Sequence, residues 1–187
     1  MMRKGIPLRD ERNAVAYHEA GHAVMAMACG FRVKSLSVER IGGNAGRVVW
    51  ETPVEPTSDD RRRIIFIFAA GMAADYVRLK RIKSSEDRSI EGHHGDRFDA
   101  LHHQIALGED DAFDYYLIVA KDFFEREDVW KFVELIAETA LITGGIDGEM
   151  LLCQLQASCP KLPDDQLARP GVINRLDKMS GDNERSS

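Results

Sequence analysis

The sequence predicts a mainly α-helical domain with one small β-hairpin or sheet, and three observations lead there. Apolar residues recur at mixed three- and four-residue steps over about 9–29, 57–78 and most of 96–158. Only two short runs, 33–41 and 46–51, look β-like, and a Gly/Asn-rich connection joins them. At 187 residues, 44% apolar and 30% charged, the chain is long enough to bury one core and has the composition of an ordinary soluble globular protein.

The first helix is expected from about Arg9 to Cys29. Ala14, Val15, Ala20, Ala23, Val24, Met27 and Ala28 supply its apolar positions, and Gly30 is a natural residue just past its end. Apolar character on nearly all sides of His18–Ala28 predicts a helix in the domain centre. In the first β-like run, residues from Val33 to Arg40 alternate imperfectly; the second is Gly46–Glu51, and Gly42-Gly43-Asn44-Ala45 suits the turn between them. After Pro53 and Pro56, Thr57 or Ser58 can cap the next helix, whose first turn carries Asp59 and Asp60 beside the positive end of the dipole. That helix is expected to reach about Arg78.

Residues 80–95 are polar, mixed in charge and without periodicity, which predicts an exposed loop. Helical pattern resumes around Asp96 and continues through about 110–126, 128–142 and 147–158, with breaks near Gly108, Glu127 and Gly144-Gly145. Residues 1–158 are thus expected to form the domain. Residues 159–187, rich in Pro, Asp, Asn, Ser and charge past Pro160, are expected to form a flexible C-terminal tail.

Bulk chemistry narrows the partners. The balance of 25 basic against 31 acidic side chains, a formal charge of −6, argues against a general nucleic-acid binder. Cys29, Cys153 and Cys159 form no C-x-x-C pair, so a reducing cytoplasm is the simpler setting. The charged N-terminus lacks the apolar core of a signal peptide. The longest apolar run, Ile64–Ala74, stops at Asp75 and is too short to span a bilayer.

The chemistry concentrates in His18-Glu19-Ala20-Gly21-His22. On a helix this H-E-x-x-H string stacks two imidazoles one turn apart on one face, a spacing that lets two ring nitrogens grip one Zn²⁺. Glu19 between them is then placed to act as general base. The flanks are apolar, and two buried histidines with a buried glutamate are costly unless they share a partner, for which a cation is the obvious choice. A catalytic zinc site usually has a third protein ligand and an open fourth position. Candidates for the third ligand are Asp75, Glu91, His93, His94, Asp96, Asp99, His102 and His103, of which Asp96, Asp99 and His103 share a helix face. His93-His94 and His102-His103 read equally as solvated surface pairs. Arg61-Arg62-Arg63 reads as a solvated helix face, Trp50 as a core or hairpin-face aromatic, and Phe113, Tyr115, Tyr116, Phe123 and Phe124 as helix-packing core.

The segment Ala16-Tyr17-His18-Glu19-Ala20-Gly21-His22-Ala23, then a hairpin, then Gly71-Met72-Ala73-Ala74-Asp75-Tyr76, resembles the zinc peptidase domain of FtsH-type AAA proteases. The resemblance covers roughly residues 10–142. It implies a zincin-like peptidase fold with additional C-terminal helices. It also implies a third ligand that is an Asp opening a later helix. His94-Gly95-Asp96-Arg97-Phe98-Asp99-Ala100 matches that pattern at Asp96, with Asp99 as the fallback, although Glu91-Gly92-His93-His94-Gly95 replaces the family's Ser/Thr-rich approach. His18, His22 and Asp96 are then the ligands of one Zn²⁺ and Glu19 the base. Strand 46–51 resembles the strand beside the family's cleft, where an extended substrate pairs by β-augmentation.

The family joins this domain to an ATPase ring and membrane anchors. This sequence carries no G-x-x-x-x-G-K-[S/T] string and no spanning helix. The expectation is a stand-alone, ATP-independent zinc metallopeptidase, cytoplasmic, acting on peptides or unfolded protein segments. The alternatives are a catalytically silent zinc-containing binding or regulatory module, and a peptidase subunit working with a separate ATPase; the partner expected beside the substrate is a second copy of the chain in a homo-oligomer or a separate unfoldase.

Overall fold

The computed structural model describes residues 8–39, 46–83, 94–147 and 149–167. In chain order the elements are α1 (Leu8–Ala28), β1 (Val33–Ser37), β2 (Arg47–Trp50), α2 (Ser58–Arg81), α3 (His94–Leu107), α4 (Phe113–Glu125), α5 (Glu127–Thr143), β3 (Gly145–Asp147) and α6 (Glu149–Ser158), followed by a 3₁₀ turn over Asp164–Leu167. The chain is mainly helical with a small antiparallel sheet, as the periodicity predicts.

Helix α1 is the centre of the domain. Every residue from Glu19 to Cys29 is buried, because α1 is wrapped by α2 and α5 and floored by the sheet. Its apolar residues on all sides therefore match its surroundings. The α1–α2 crossing is a backbone-to-backbone approach. A Cβ at Gly21 would stand 2.6 Å from Ala74 Cβ and 2.7 Å from the Ala70 carbonyl oxygen, so only glycine fits there. Ala69, Ala70, Gly71, Ala73 and Ala74 give α2 a correspondingly small-residue surface, all buried.

Helix α2 begins with a capping box. Thr57 accepts from the Asp60 amide at 3.2 Å, and the Thr57 amide donates back to Asp60 at 3.0 Å. Asp59 and Asp60 lie in its first turn and Arg78, Lys80 and Arg81 in its last, so both ends complement the dipole. The helix runs to Arg81 rather than stopping near Arg78. Its end is held by Lys80 to Glu125 at 2.9 Å and by Arg81 to Glu127 at 2.9 Å. The remainder of the loop expected over 80–95 falls mostly outside the described residues, as does the 42–45 turn.

The sheet has three strands in the order β2-β1-β3, where two were expected. β1 pairs with β2 (Leu36 opposite Val48, with an irregularity between Val33 and Ser35) and with β3 (Leu36 opposite Ile146). Gly144, at φ +83°, ends α5 in the left-handed region, and Gly145 then lies so close to β1 that a Cβ would meet the Leu36 oxygen at 2.6 Å. The two glycines read as a helix break are also what admits a third strand.

Packing continues past the boundary expected at residue 158. Cys159 and Leu162 are buried. The Leu162 amide donates to the Ala28 oxygen at 3.2 Å and Lys161 Nζ to the Met27 oxygen at 3.0 Å. Gly30, at φ +88°, closes α1 locally, its amide bonded to the Met27 oxygen and the Phe31 amide to the Ala26 oxygen, and the downstream segment adds the donor for the Ala28 oxygen and a second one for Met27. Packed chain therefore continues to Leu167; residues 168–187 lie outside the described residues. No helix among the described residues is long and apolar enough to cross a membrane.

Candidate metal centre

Helix α1 carries His18, Glu19 and His22 on consecutive turns of its buried stretch, and α2 fixes how the two rings stand. His22 Nδ1 donates to the Ile67 carbonyl at 2.7 Å, and His18 Nδ1 bonds Asp75 Oδ2 at 2.9 Å. With both Nδ1 atoms engaged, both Nε2 atoms turn to one point and stand 3.0 Å apart. Ile67, Gly71 and Asp75 follow one another at four-residue steps, so one face of α2 touches both histidines. Gly71 is what lets that face come so near. A Cβ there would fall within 2.5 Å of His18 Nε2 and Cε1, and against His22 Nε2.

The third group comes from α3. Asp96 lies in its first turn, where the exposed amides of the helix start favour a carboxylate. Its Oδ2 stands 3.2 Å from His18 Nε2 and 3.5 Å from His22 Nε2. Ligand atoms arranged tetrahedrally at about 2.0–2.1 Å from a metal are separated from one another by about 3.3 Å. The observed separations of 3.0, 3.2 and 3.5 Å bracket that value. Two imidazole nitrogens and a carboxylate oxygen thus converge at the spacing of three corners of a metal tetrahedron. These residues can hold a metal ion, and they are the one such group among the described residues.

The electrostatics agree. Burial disfavours charge on His18, yet hydrogen bonds and attraction from Asp75 and Asp96 outweigh it and raise its pKa to about 10. Burial opposes charge on His22 too, and Asp96 overrides it in the same direction. Burial alone would raise the pKa of Asp96, but His22 and His18 hold it far below the usual carboxylate range. The cluster is built to contain positive charge, carried by protons where no metal is bound.

Glu19 is 8% exposed, and burial pushes its pKa up against the pull of His22 and His18. Its carboxylate lies against Gly46, just ahead of β2, where a Cβ would be 2.5 Å from Oε1. The Glu19 carboxylate and the start of an edge strand are therefore in contact.

The other predicted candidates separate cleanly. Asp75 stands behind His18, orienting the ring, and is not one of the three converging groups. Asp99, the fallback, is exposed and outside the cluster, as is His94. His102 is exposed and donates from Nδ1 to the Phe98 carbonyl, while His103 is half-buried with its ring 6.3 Å from that of Phe68. Glu91 and His93 lie outside the described residues. Trp50 packs edge-on against Phe68 at 5.7 Å, in keeping with a packing role. The parts not read from sequence are Gly46, Gly71 and the Ile67 carbonyl. A glycine four residues before an acid on an apolar helix was the available signal for Gly71. No protein-family model matches the chain, and no curated protein matches it in sequence.

Proposed function

We propose that this protein is a zinc metallopeptidase of the FtsH-type, zincin-like kind, acting without an ATPase of its own on peptides or unfolded protein segments. One observation carries the reading: two histidine nitrogens and the Asp96 carboxylate converge at tetrahedral spacing, with the buried Glu19 on the same turn of helix. Two imidazoles and one carboxylate suit Zn²⁺ and leave a fourth position open, which favours a catalytic over a structural site. Buried free thiols at Cys29 and Cys159 accord with a reducing, cytoplasmic setting.

His18, His22 and Asp96 would hold a zinc ion, which would supply Lewis-acid chemistry and make a water a usable nucleophile near neutral pH. Glu19 carries the proton: it accepts one from the attacking water and delivers it to the amine that leaves as the peptide bond breaks. Its raised pKa suits both halves of that task. Asp75 and the Ile67 carbonyl hold the two rings in orientation throughout. β2 forms one edge of the sheet and begins beside Glu19, so an extended substrate adding to that edge brings its backbone to the base. Main-chain pairing of this kind selects extended chain over folded protein.

Zinc analysis combined with cleavage of casein by the native protein and Glu19→Gln tests the reading. Both proteins are expected to hold one zinc, and kcat/KM is expected to fall at least ~100-fold in the variant. Zinc retained with no cleavage by either protein points instead to a binding module. Absence of zinc from the native protein overturns the reading altogether.

A further inference from the structure

We infer that Glu109, buried just past the far end of α3, is a positioning residue for the metal centre: with Arg62 and Tyr116 it sets where Asp96 stands. The inference rests on the metal-site reading above. Arg62 was expected on a solvated face, but its side chain is only 11% exposed and that of Glu109 9%. Arg62 donates from Nε and Nη2 to Glu109 Oε1, each at 3.2 Å, and the buried Tyr116 hydroxyl donates to Oε2. One carboxylate thus joins α2, α4 and the end of α3, and no catalytic step uses it.

Glu109 is rigidly coupled to α3. The helix closes in a Schellman motif, with Gly108 at φ +66°, its amide bonded to the Ile105 oxygen at 3.1 Å and the Glu109 amide to the Gln104 oxygen at 2.9 Å. The buried Gln104 side chain returns to the Glu109 carbonyl at 3.0 Å. Wherever the Glu109 carboxylate is held, the helix axis follows.

Apolar packing alone holds α3 weakly. Only Ala100 and Gln104 of its residues are buried, while Phe98, Leu101 and Ile105 face solvent. Near Asp96 the other attachment is Arg97, which reaches the largely exposed Asp114 at 3.2 Å and lies over the Phe113 ring. Buried ion pairs add little net stability, but their directional bonds fix geometry. A ligand displaced by about an ångström is a poor ligand, so what fixes α3 also tunes the site.

Competition titration against a zinc chelator, on the full chain, tests this with four proteins: native, Glu109→Gln, Asp96→Ala and the double variant. Glu109→Gln is expected to weaken zinc binding about tenfold in the native background. With Asp96 already removed, the same change is expected to cost less than about twofold, because the carboxylate it positions is gone. Tyr116→Phe deletes one hydroxyl and keeps the packing. It is expected to act in the same direction by about threefold, again only when Asp96 is present. Equal losses in both backgrounds mean general loosening and overturn the inference, as does zinc binding unchanged by Glu109→Gln and Tyr116→Phe while Asp96→Ala impairs it. If the native protein binds no zinc, the metal reading fails first and takes this inference with it.

Discussion

α1 meets α2 through backbone, whereas α3 meets α2 largely through side chains, and the metal cluster straddles the two contacts. His18 and His22 stand on a helix that is buried on all sides from Glu19 onward, with His18 half-buried at its edge, pressed against small residues and aimed by Asp75 and the Ile67 carbonyl. Asp96 stands on a helix with two buried residues, tethered by Glu109 and Arg97. Close packing leaves no slack, so two of the three candidate ligands are preformed. The third has its position set by a few polar contacts, and the site is accordingly rigid on one side and adjustable on the other.

The largest effect expected from breaking this asymmetry comes on the rigid side. Gly71→Val puts a branched side chain where His18 and His22 meet. Zinc affinity is expected to fall by at least ~100-fold, with a stability loss of about 1–3 kcal/mol from overpacking, read by zinc titration and thermal unfolding. Retention of native affinity would show that α2 does not approach the rings as described.

On the adjustable side, Asp96→Asn is expected to weaken zinc about 10- to 100-fold, with Asp99→Asn within about twofold of native. A larger effect at Asp99 would reverse the ligand assignment. A step smaller is Asp75→Asn, which leaves all three converging groups in place but removes the carboxylate behind His18. Zinc affinity about tenfold lower is expected, and nuclear magnetic resonance of the imidazole nitrogens should show His18 changing its tautomer balance while His22 does not.

pH sharpens the comparison further. In the metal-free protein the raised pKa of His18 contributes stability that is full below about 6.5 and fades as pH rises towards about 10. The depressed pKa of Asp96 contributes stability present above the usual carboxylate range and lost as pH falls below it. Metal-free protein should therefore unfold least readily between those limits. Zinc must displace protons from the same cluster, so its affinity should climb towards tenfold per pH unit between 7 and 9 for each proton released. Calorimetry in buffers of different ionisation enthalpy counts those protons, and a count of zero contradicts the charged cluster.

Local chemistry was the legible part of this molecule. His18 and His22 at four-residue spacing, the cap at Thr57 and the apolar wrap of α1 are each written within a few residues, and the helices appear within a turn of where periodicity puts them. Asp96 was not singled out by spacing, since several carboxylates and histidines nearby were equally eligible; the family resemblance selected it. What stayed illegible is long-range. β3 holds a single buried apolar residue, Ile146, and becomes a strand only because β1 offers an open edge and Gly145 permits the approach. Arg62 looked like one of three solvated arginines because its partner Glu109 lies far along the chain.

The long-range contacts of α1 have a consequence for how the molecule is made. Helix α1 is synthesised well ahead of Lys161 and Leu162, whose donors reach its Met27 and Ala28 carbonyls from more than 130 residues further along the chain. At about 5–20 residues per second, that interval lasts on the order of ten seconds. Throughout it, α1 is closed by its own Gly30 turn but the Ala28 carbonyl lacks the Leu162 amide, and for part of it the histidines have neither Asp75 nor Asp96. Assembly of the site thus waits for residues well downstream of α1, and a nascent chain halted before residue 96 carries the H-E-x-x-H string without the carboxylate that faces both rings.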